Sequence, residues 1–241
     1  MKKTIVIALI LLSSIGYSQN YKIVYNLDQV AKNIGLLTNI KTYLQGNGEI
    51  SIYVEDFRNA QQQSTSGFDN ISLPTEDNPT YFKELRKNIV IYNDDIRLKF
   101  FNIKDSITSF EWKIERETKE ILGYTSQKAT LNFRGRNFTV YFTTDIKISD
   151  GPLKFYGLPG LILEIISDDE IASFHYLAES IKLTDKKVDT ENIFANKNLI
   201  TYKEFFKIYN TKYDESLSRV INESGETRPM SKGFMEVFVN D

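Results

Sequence analysis

The sequence predicts a mainly β protein, a single domain built on a curved antiparallel sheet or open barrel with one amphipathic helix near its C-terminus. Three observations predict this fold class. The 241 residues include 16 Phe and 14 Tyr, which favour strands. Segments that alternate apolar and polar residues follow one another at short spacing, with turn residues between them. A convincing helical period is confined to residues 201–221.

The chain begins with the three parts of a secretory signal. Lys2 and Lys3 precede an apolar run from Thr4 to Leu12, and small and polar residues follow. We therefore expect a signal peptide at residues 1–18 and one β-dominated domain at 19–241, periplasmic or secreted. Retention as a membrane anchor is the alternative, but the run is shorter than the roughly 20 residues a spanning helix needs. No transmembrane span is expected in the mature protein.

Charge and cysteine content exclude several classes of function. The chain has no cysteine, which excludes disulfides, thiolate metal ligands and a cysteine nucleophile. Loss of Lys2 and Lys3 with the signal reduces the 30 basic residues to 28, against 32 acidic ones. This weak negative balance argues against nucleic acid as a partner. No cofactor and no metal are expected.

The first predicted hairpin covers residues 38–55. Gly46, Asn47 and Gly48 supply a tight connection between two β-rich arms. The alternation then disappears in a polar stretch with many turn residues, so residues 56–80 are expected to form a mobile loop.

Further strands follow this loop. A second hairpin joins 88–92 to 96–101 through a turn at Asn93 to Asp95. Residues 110–115 also alternate, with Phe110, Trp112 and Ile114 on one face. The last hairpin joins 128–133 to 138–142 around the turn sequence RGRN.

The helical segment runs from Thr201 to Ile221. Thr201 and Glu204 have the spacing of a capping box at its start. Six apolar or aromatic residues fall three or four apart and predict the packed face: Tyr202, Phe206, Tyr209, Tyr213, Leu217 and Val220. A membrane-surface helix is the alternative, but the polar face mixes both signs of charge, which favours packing on the sheet.

The stretch DGPLKFYGLPGLILEI combines turns with a buried strand. Gly151 and Pro152 form one turn, and Gly157, Pro159 and Gly160 form the next. The order Pro159-Gly160 predicts a type II turn with a positive φ at Gly160. The apolar run that follows, interrupted by Glu164, is typical of a strand covered on both faces, and IASFHYLA is its expected partner strand.

Residues 123–165 resemble the GLPGLI family of exported proteins. The resemblance is carried by a QKA strand, an RGR hairpin and a GP.KF.GLPGLIL turn and strand, in that order. Ser126 stands where family members often have a cysteine. The resemblance implies export and supports the β fold. No particular activity follows from it.

Arg134 and Arg136 are the candidate binding residues. They flank Gly135 at a hairpin tip, where two guanidinium groups can bind a carboxylate, a phosphate or a partner's acidic face. Solvated turn charge is the alternative.

Three other motifs are weaker. His175 is the only histidine, and its sequence neighbours supply no nucleophile or metal partner, so no catalytic residue is predicted. Asp168 to Glu170 form an acidic turn without the spacing of a calcium loop. Ser106, between Asp105 and Ile107, fits a short acceptor pattern for O-glycosylation of exported bacterial proteins.

These observations predict an exported envelope protein that is not an enzyme. A curved sheet rich in Phe and Tyr offers a concave apolar surface for a small molecule, lipid or peptide, or for another envelope protein. Two alternatives remain open: an accessory component of a membrane transporter, and an envelope hydrolase with carboxylate catalytic residues. Converging carboxyl groups with raised pKa values would favour the hydrolase.

Overall fold

A computed structural model describes residues 19–32, 35–64, 78–107, 109–217, 230–233 and 236. The signal peptide predicted at 1–18 and most of the C-terminal tail lie outside these ranges. The described elements are β1 (Asn20–Ala31), β2 (Leu36–Gly46), β3 (Ile50–Ser64), β4 (Thr80–Glu84), β5 (Ile89–Ile96), β6 (Lys99–Ser106), β7 (Lys113–Ile121), β8 (Tyr124–Phe133), β9 (Arg136–Thr143), β10 (Leu161–Asp168), β11 (Ala172–Thr184), β12 (Leu199–Thr201) and α1 (Tyr202–Leu217). A single 3-10 turn at Leu85–Lys87 joins β4 to β5.

The strands of the described ranges form one open sheet. Their order is β12-β6-β5-β4-β3-β2-β1-β11-β10-β9-β8-β7. Neighbouring strands are antiparallel, except that β12 runs parallel to β6. The predicted fold class, a mainly β protein with an antiparallel sheet and a helix near the C-terminus, is confirmed.

The two faces of the sheet have opposite character. In β1, Tyr21, Ile23, Tyr25 and Leu27 are buried on what we call the inner face. The alternate residues of β1 point to the outer face and are exposed or half-buried. Residues 144–160 and α1 cover the inner face, since their apolar side chains belong to the same core cluster as β1. In β1 and β2, the outer face is therefore the one that meets solvent.

Strands β10 and β11 are as the sequence predicts. Leu161, Ile162, Leu163 and Ile165 are fully buried, so β10 is covered on both faces. Strand β11 pairs with it in antiparallel register. The outward side chains in the first half of β11, which are Ser173, His175 and Leu177, are half-buried.

The turn of the second predicted hairpin differs from the prediction. The hairpin of β5 and β6 turns at Arg97 and Leu98, with φ of 52° and 65°, and not at residues 93–95. Two consecutive positive φ angles suit a two-residue hairpin because they match the twist of its strands. Asp95 lies in β5 and stabilises this turn, since its carboxylate accepts a hydrogen bond from the Leu98 N–H at 2.9 Å.

The predicted loop at 56–80 and the alternating segment at 110–115 are also revised. Residues 56–64 belong to strand β3, which continues past the end of β4 and pairs with β2 as far as Ser64. Residues 65–77 of the predicted loop lie outside the described ranges. Strand β7 begins only at Lys113. Phe110 and Trp112 precede it and pack against the Phe155 ring.

The glycine turns have a different physical basis from the expected one. Gly157 has a φ of 92°, whereas Gly160 is not among the residues with positive φ, so the predicted type II turn is wrong. Gly160 is required by close approach, because a Cβ there would lie 1.9 Å from the Thr143 carbonyl oxygen. A Cβ on Gly151 would similarly lie 2.8 Å from the Ile162 Cβ.

Helix α1 starts as predicted and packs through a shifted face. The Thr201 N–H donates to Glu204 Oε2 at 2.7 Å, and the Glu204 N–H donates to Thr201 Oγ1 at 3.2 Å, which completes the capping box. The buried side chains include Phe205 and Tyr209, while Phe206 is exposed, because Phe205 is the residue that meets Phe101 of β6. Among the helices in the described ranges, none has the length and apolar composition that crossing a bilayer requires.

Candidate functional site

Polar side chains follow one another across the outer face of the sheet. The pairing of strands brings them together: Asp28 of β1 lies opposite both Asn39 of β2 and His175 of β11, and Glu164 of β10 lies opposite Tyr141 of β9. We call this set the outer polar band. Its members are Asn26, Asp28, Asn39, Lys41, Glu117, Lys119, Lys128, Tyr141, Glu164, His175 and Glu179.

At the β1–β2 end of the band, three side chains hold one another. The Asn39 amide donates to Asp28 Oδ1 at 2.5 Å and to Asn26 Oδ1 at 3.0 Å, and the Asn26 amide donates to Asp28 Oδ2 at 3.2 Å. Lys41 donates to Asn26 Oδ1 at 3.3 Å and pairs with Glu179. These contacts fix donors and acceptors in place before any ligand arrives.

The centre of the band is a carboxylate held between two cationic or basic groups. Glu164 has a side chain only 5% exposed; its Oε1 lies 2.8 Å from His175 Nε2 and its Oε2 contacts Lys119. When His175 Nε2 carries its hydrogen, it donates to Glu164, and Nδ1 keeps a lone pair. The His175 side chain is 42% exposed, so this imidazole is accessible to solvent.

At the β7–β9 end, a tyrosine and a lysine share one carboxylate. The Tyr141 hydroxyl donates to Glu117 Oε1 at 2.5 Å, and Lys128 donates to Glu117 Oε2 at 2.9 Å. The hydrogen bond from Tyr141, together with Lys128, lowers the pKa of Glu117, and the same bond raises the pKa of Tyr141. The Lys119 ammonium lies 3.9 Å from the centre of the Tyr141 ring, a cation–π contact.

The chemistry of the band suits an uncharged, hydroxyl-rich ligand. Carboxylates and lysines are nearly balanced along it, so no strong field selects an anion. Its amide groups can donate hydrogen bonds to hydroxyls and accept them, and its carboxylates can accept them. Tyr43, which is 43% exposed on the same face of β2 as Lys41, adds an aromatic surface beside these polar groups.

His175 was not predicted as a candidate site residue, because its partner lies on another strand. Glu164 interrupts an otherwise apolar run. The sequence does not indicate that its carboxylate contacts a histidine. The available signal was the interruption itself, since a charged residue in a doubly buried strand needs a partner of opposite charge or a hydrogen-bond donor.

The structure places Arg134 in an internal contact. Its guanidinium donates to Asp105 Oδ2 at 2.7 Å and Oδ1 at 2.8 Å, and to Glu236 at 3.0 Å. Lys154 joins the same carboxylates, at 2.5 Å from Glu236 Oε1 and 3.2 Å from Asp105 Oδ2. We call Asp105, Arg134, Lys154 and Glu236 the inner charge cluster. Burial opposes ionisation of Asp105, but Arg134 and Lys154 lower its pKa overall.

Arg136 forms an ion pair with the acidic turn at Asp168 to Glu170. The Arg136 side chain is fully buried, and its Nη1 lies 2.8 Å from Asp169 Oδ2. Asp168 pairs with Lys32. The two arginines therefore do not stand free at the hairpin tip as the sequence predicts, because nearby carboxylates take up both guanidinium groups. A ligand-binding role for either remains a prediction that these contacts do not test.

The remaining predicted sites are placed as follows. Ser106 is exposed at the end of β6, between buried Asp105 and Ile107, and its glycosylation stays a prediction. Pro152 lies in a buried turn and Pro159 is exposed. Within the described part of the chain, no three His, Asp or Glu side chains are grouped so that they could hold a metal ion.

One buried carboxyl on the inner face has a strongly shifted pKa. Burial raises the pKa of Glu55 to about 7, although hydrogen bonds from Tyr176 and Tyr53 act in the opposite direction. The Tyr176 hydroxyl donates to Glu55 Oε1 at 3.0 Å and the Tyr53 hydroxyl at 3.4 Å. A raised carboxyl pKa is one of two features that would favour the hydrolase alternative, the other being a convergence of carboxyl groups.

Comparison with known proteins connects this fold to N-glycanases. The family model described as "N-glycanase peptide, N-terminal domain" matches residues 38–204, more than half of the chain. Two crystal structures of PNGF-II are similar. The one in space group P21 has 18% identity and a TM-score of 0.54, with 79% of this chain and 33% of that chain covered. The one in space group C2 has 19% identity and a TM-score of 0.50, with 80% and 32% covered.

The structural matches show the fold, and this chain spans about a third of the length of the PNGF-II chains. Among curated proteins, none matches the sequence.

These findings correct two predictions. The assignment to the GLPGLI family is wrong, because the N-glycanase model covers residues 38–204 and includes the whole motif region. A tight turn and an apolar strand are short features that unrelated β proteins can share.

The predicted non-enzymatic binder of an apolar ligand or exported protein is also wrong, and the family favours the hydrolase alternative. The inner-face Phe and Tyr side chains that were expected to line an apolar site are packed in the core instead. With the match extending over more than half of its length, the chain belongs to the family of N-glycanase N-terminal domains.

Proposed function

We propose that the protein takes part in the processing of N-linked glycoproteins, and that the outer polar band binds the glycan of an N-glycosylated peptide. Family membership supports the substrate class. The observation that carries the binding site is the set of contacts among Asn26, Asp28 and Asn39 on the solvent-facing side of the sheet.

A sugar ring fits the chemistry of this surface. Its hydroxyl groups both donate and accept hydrogen bonds, as do the amides of Asn26 and Asn39, and the Asp28 carboxylate accepts them. The C–H face of a sugar ring is apolar and can pack on the Tyr43 ring. Because these side chains are already oriented by one another, binding costs less side-chain entropy than it would for free side chains.

The binding test compares a peptide that carries an N-glycan with the same peptide without it. Calorimetry on the full chain should show affinity for the glycopeptide alone. The Asn39→Ala change should weaken binding about tenfold, which corresponds to the loss of about 1.4 kcal/mol. Equal affinity for the two peptides would overturn the proposal.

The matched control is Asn132→Ala. Asn132 is also an exposed asparagine bonded to another, Asn137, at 2.8 Å, but on the β8–β9 hairpin. Its replacement should leave glycopeptide affinity unchanged. A loss equal to that of Asn39→Ala would show that the effect does not come from the band.

A second candidate function is hydrolysis by this chain itself, at the same band. The contact of 2.8 Å between His175 Nε2 and Glu164 Oε1 favours it, because a carboxylate-oriented imidazole can take a proton from an attacking water. Incubation with an N-glycoprotein, followed by mass spectrometry of released glycan, tests this function. Glycan release by the wild-type chain that stops in the Glu164→Gln variant supports this function. No release by the wild-type chain, or release that the change does not affect, excludes His175 and Glu164 as the catalytic pair.

A further inference from the structure

Glu236 reaches the inner charge cluster from the C-terminal segment, 102 residues along the chain from Arg134. The residue is 4% exposed, and it contacts Arg134 through both carboxylate oxygens and Lys154 through one. The rest of the cluster comes from the body of the fold: Asp105 is the penultimate residue of β6, Arg134 lies in the turn of the β8–β9 hairpin, and Lys154 lies in the segment over the inner face.

The charges of the cluster balance only while Glu236 is present. Two cations face two carboxylates; without Glu236, Asp105 is the cluster carboxylate that remains in contact with Arg134 and Lys154. Lys154 and Asp105 are almost fully buried, and the Arg134 side chain is 20% exposed. Removing one carboxylate from a buried ion-pair cluster leaves excess positive charge that is strongly destabilising, so the emptied site must bind another anion or rearrange.

Aromatic rings pack against the two cations of the cluster. The Arg134 guanidinium lies 3.4 Å from the centre of the Tyr202 ring, and the Lys154 ammonium lies 3.8 Å from the centre of the Tyr92 ring. These contacts hold both cations in orientation. Arg134 binds Asp105 through two parallel hydrogen bonds, and its Nη1 also donates to both oxygens of Glu236 at 3.0 Å.

We propose that Arg134 and Lys154 form a carboxylate-binding site for acidic peptide segments, which Glu236 occupies within its own chain. A glutamate or aspartate side chain of a partner takes the same position when Glu236 withdraws. This site lies on the inner face and is independent of the glycan proposal for the outer polar band.

The test uses the full chain with Glu236→Gln, which keeps the shape of the side chain and removes its charge. The probe is a labelled peptide with the sequence of residues 230–241. Its affinity for Glu236→Gln should be at least about tenfold higher than for the wild-type chain, and a peptide with glutamine at its glutamate position should not bind. Equal affinities for both peptides would overturn the proposal.

Chemical rescue gives an independent readout. The Glu236→Gln chain should melt at a lower temperature than wild type, and sodium formate should restore part of the difference when sodium chloride at the same ionic strength does not. Equal effects of the two salts would show that the site does not accept a free carboxylate.

A second variant covers the case in which Glu236→Gln does not fold. Glu236→Asp keeps the charge on a shorter side chain and weakens the internal contact. It should bind the acidic peptide more tightly than wild type does, and unchanged affinity would count against the proposal. Neither outcome depends on glycopeptide binding, so this proposal can fail while the proposed function holds.

Discussion

The outer polar band and the inner face carry the same types of residue in opposite environments. Along the band, Lys41 and Glu179 are each close to half exposed. On the inner face, Lys83 and Asp150 are fully buried and 2.5 Å apart. Water screens the first pair and solvates each partner separately, whereas the second pair has only the protein to stabilise its charges.

This difference in solvation suits the two faces to different roles, ligand binding on the outer face and stabilisation of the fold on the inner face. Solvated groups can exchange water for a ligand at little cost, so the outer polar band is suited to recognition. Buried pairs are costly to break, so those of the inner face fix the position of the segment that covers it. Lys83 illustrates this, because it also donates to the Gly151 carbonyl at 2.5 Å in that segment.

The largest effect is expected from Lys83→Met. The change leaves Asp150 buried without its cation and should lower the free energy of unfolding by about 3–5 kcal/mol, measured by urea denaturation. The Tyr21 hydroxyl, 2.6 Å from Asp150 Oδ2, would remain as its hydrogen-bond donor. The control is the double change Lys83→Met with Asp150→Asn, which should recover part of the loss. A loss below 1 kcal/mol for the single change would mean that the inner face is as well solvated as the outer one.

The pH dependence of Glu55 comes next in size. Burial raises its folded-state pKa to about 7, above the ordinary 4.5, so the folded chain holds this proton more tightly than the unfolded chain does. Its contribution is fully present below pH 4.5 and is lost as pH rises through 7. Wild type should therefore lose on the order of 2–3 kcal/mol relative to Glu55→Gln between pH 4.5 and 8. Parallel stability curves for the two chains would contradict a buried, protonated Glu55.

Local features of the fold could be predicted from the sequence because they depend on near neighbours. The β2–β3 hairpin is one, since Asn47 accepts hydrogen bonds from the N–H groups of Glu49 and Ile50 within the turn. The capping box of α1 is another. The helix face was shifted because Phe205 and Phe206 both satisfy a helical period, and only contact with Phe101 of the distant strand β6 decides between them.

The candidate site could not be predicted because strand order assembles it. Asp28 lies opposite His175 only because β1 lies between β2 and β11 in the sheet. The alternation of apolar and polar residues along the sequence does not reveal this strand order. Arg134 illustrates the same limit, since its carboxylates come from residues 29 and 102 positions away in the chain. For Gly160, the sequence correctly marks a required glycine, but the reason is the neighbouring Thr143 carbonyl and not a positive φ.

A smaller effect is expected at Glu164, which belongs to the outer polar band but is nearly buried. Glu164→Gln removes the charge that faces Lys119 and His175, and should cost about 1–2 kcal/mol of unfolding free energy. Glu117→Gln is the matched control, since Glu117 is 54% exposed and also contacts a lysine. Its effect on urea denaturation should be smaller. If the two changes are equal, burial within the band has no influence on the strength of its ion pairs.

The smallest effect is expected for Lys41 and Glu179, the most solvated pair of the band. A double-mutant cycle with Lys41→Ala and Glu179→Ala should give a coupling energy below about 1 kcal/mol, because water already screens both charges. The coupling should decrease further between 0.1 M and 1 M salt, as the screening length falls from roughly 10 Å to 3 Å. A coupling that is both larger and insensitive to salt would place this pair in a dry environment. The band would then resemble the inner face, and its groups would not be free to exchange water for a glycan.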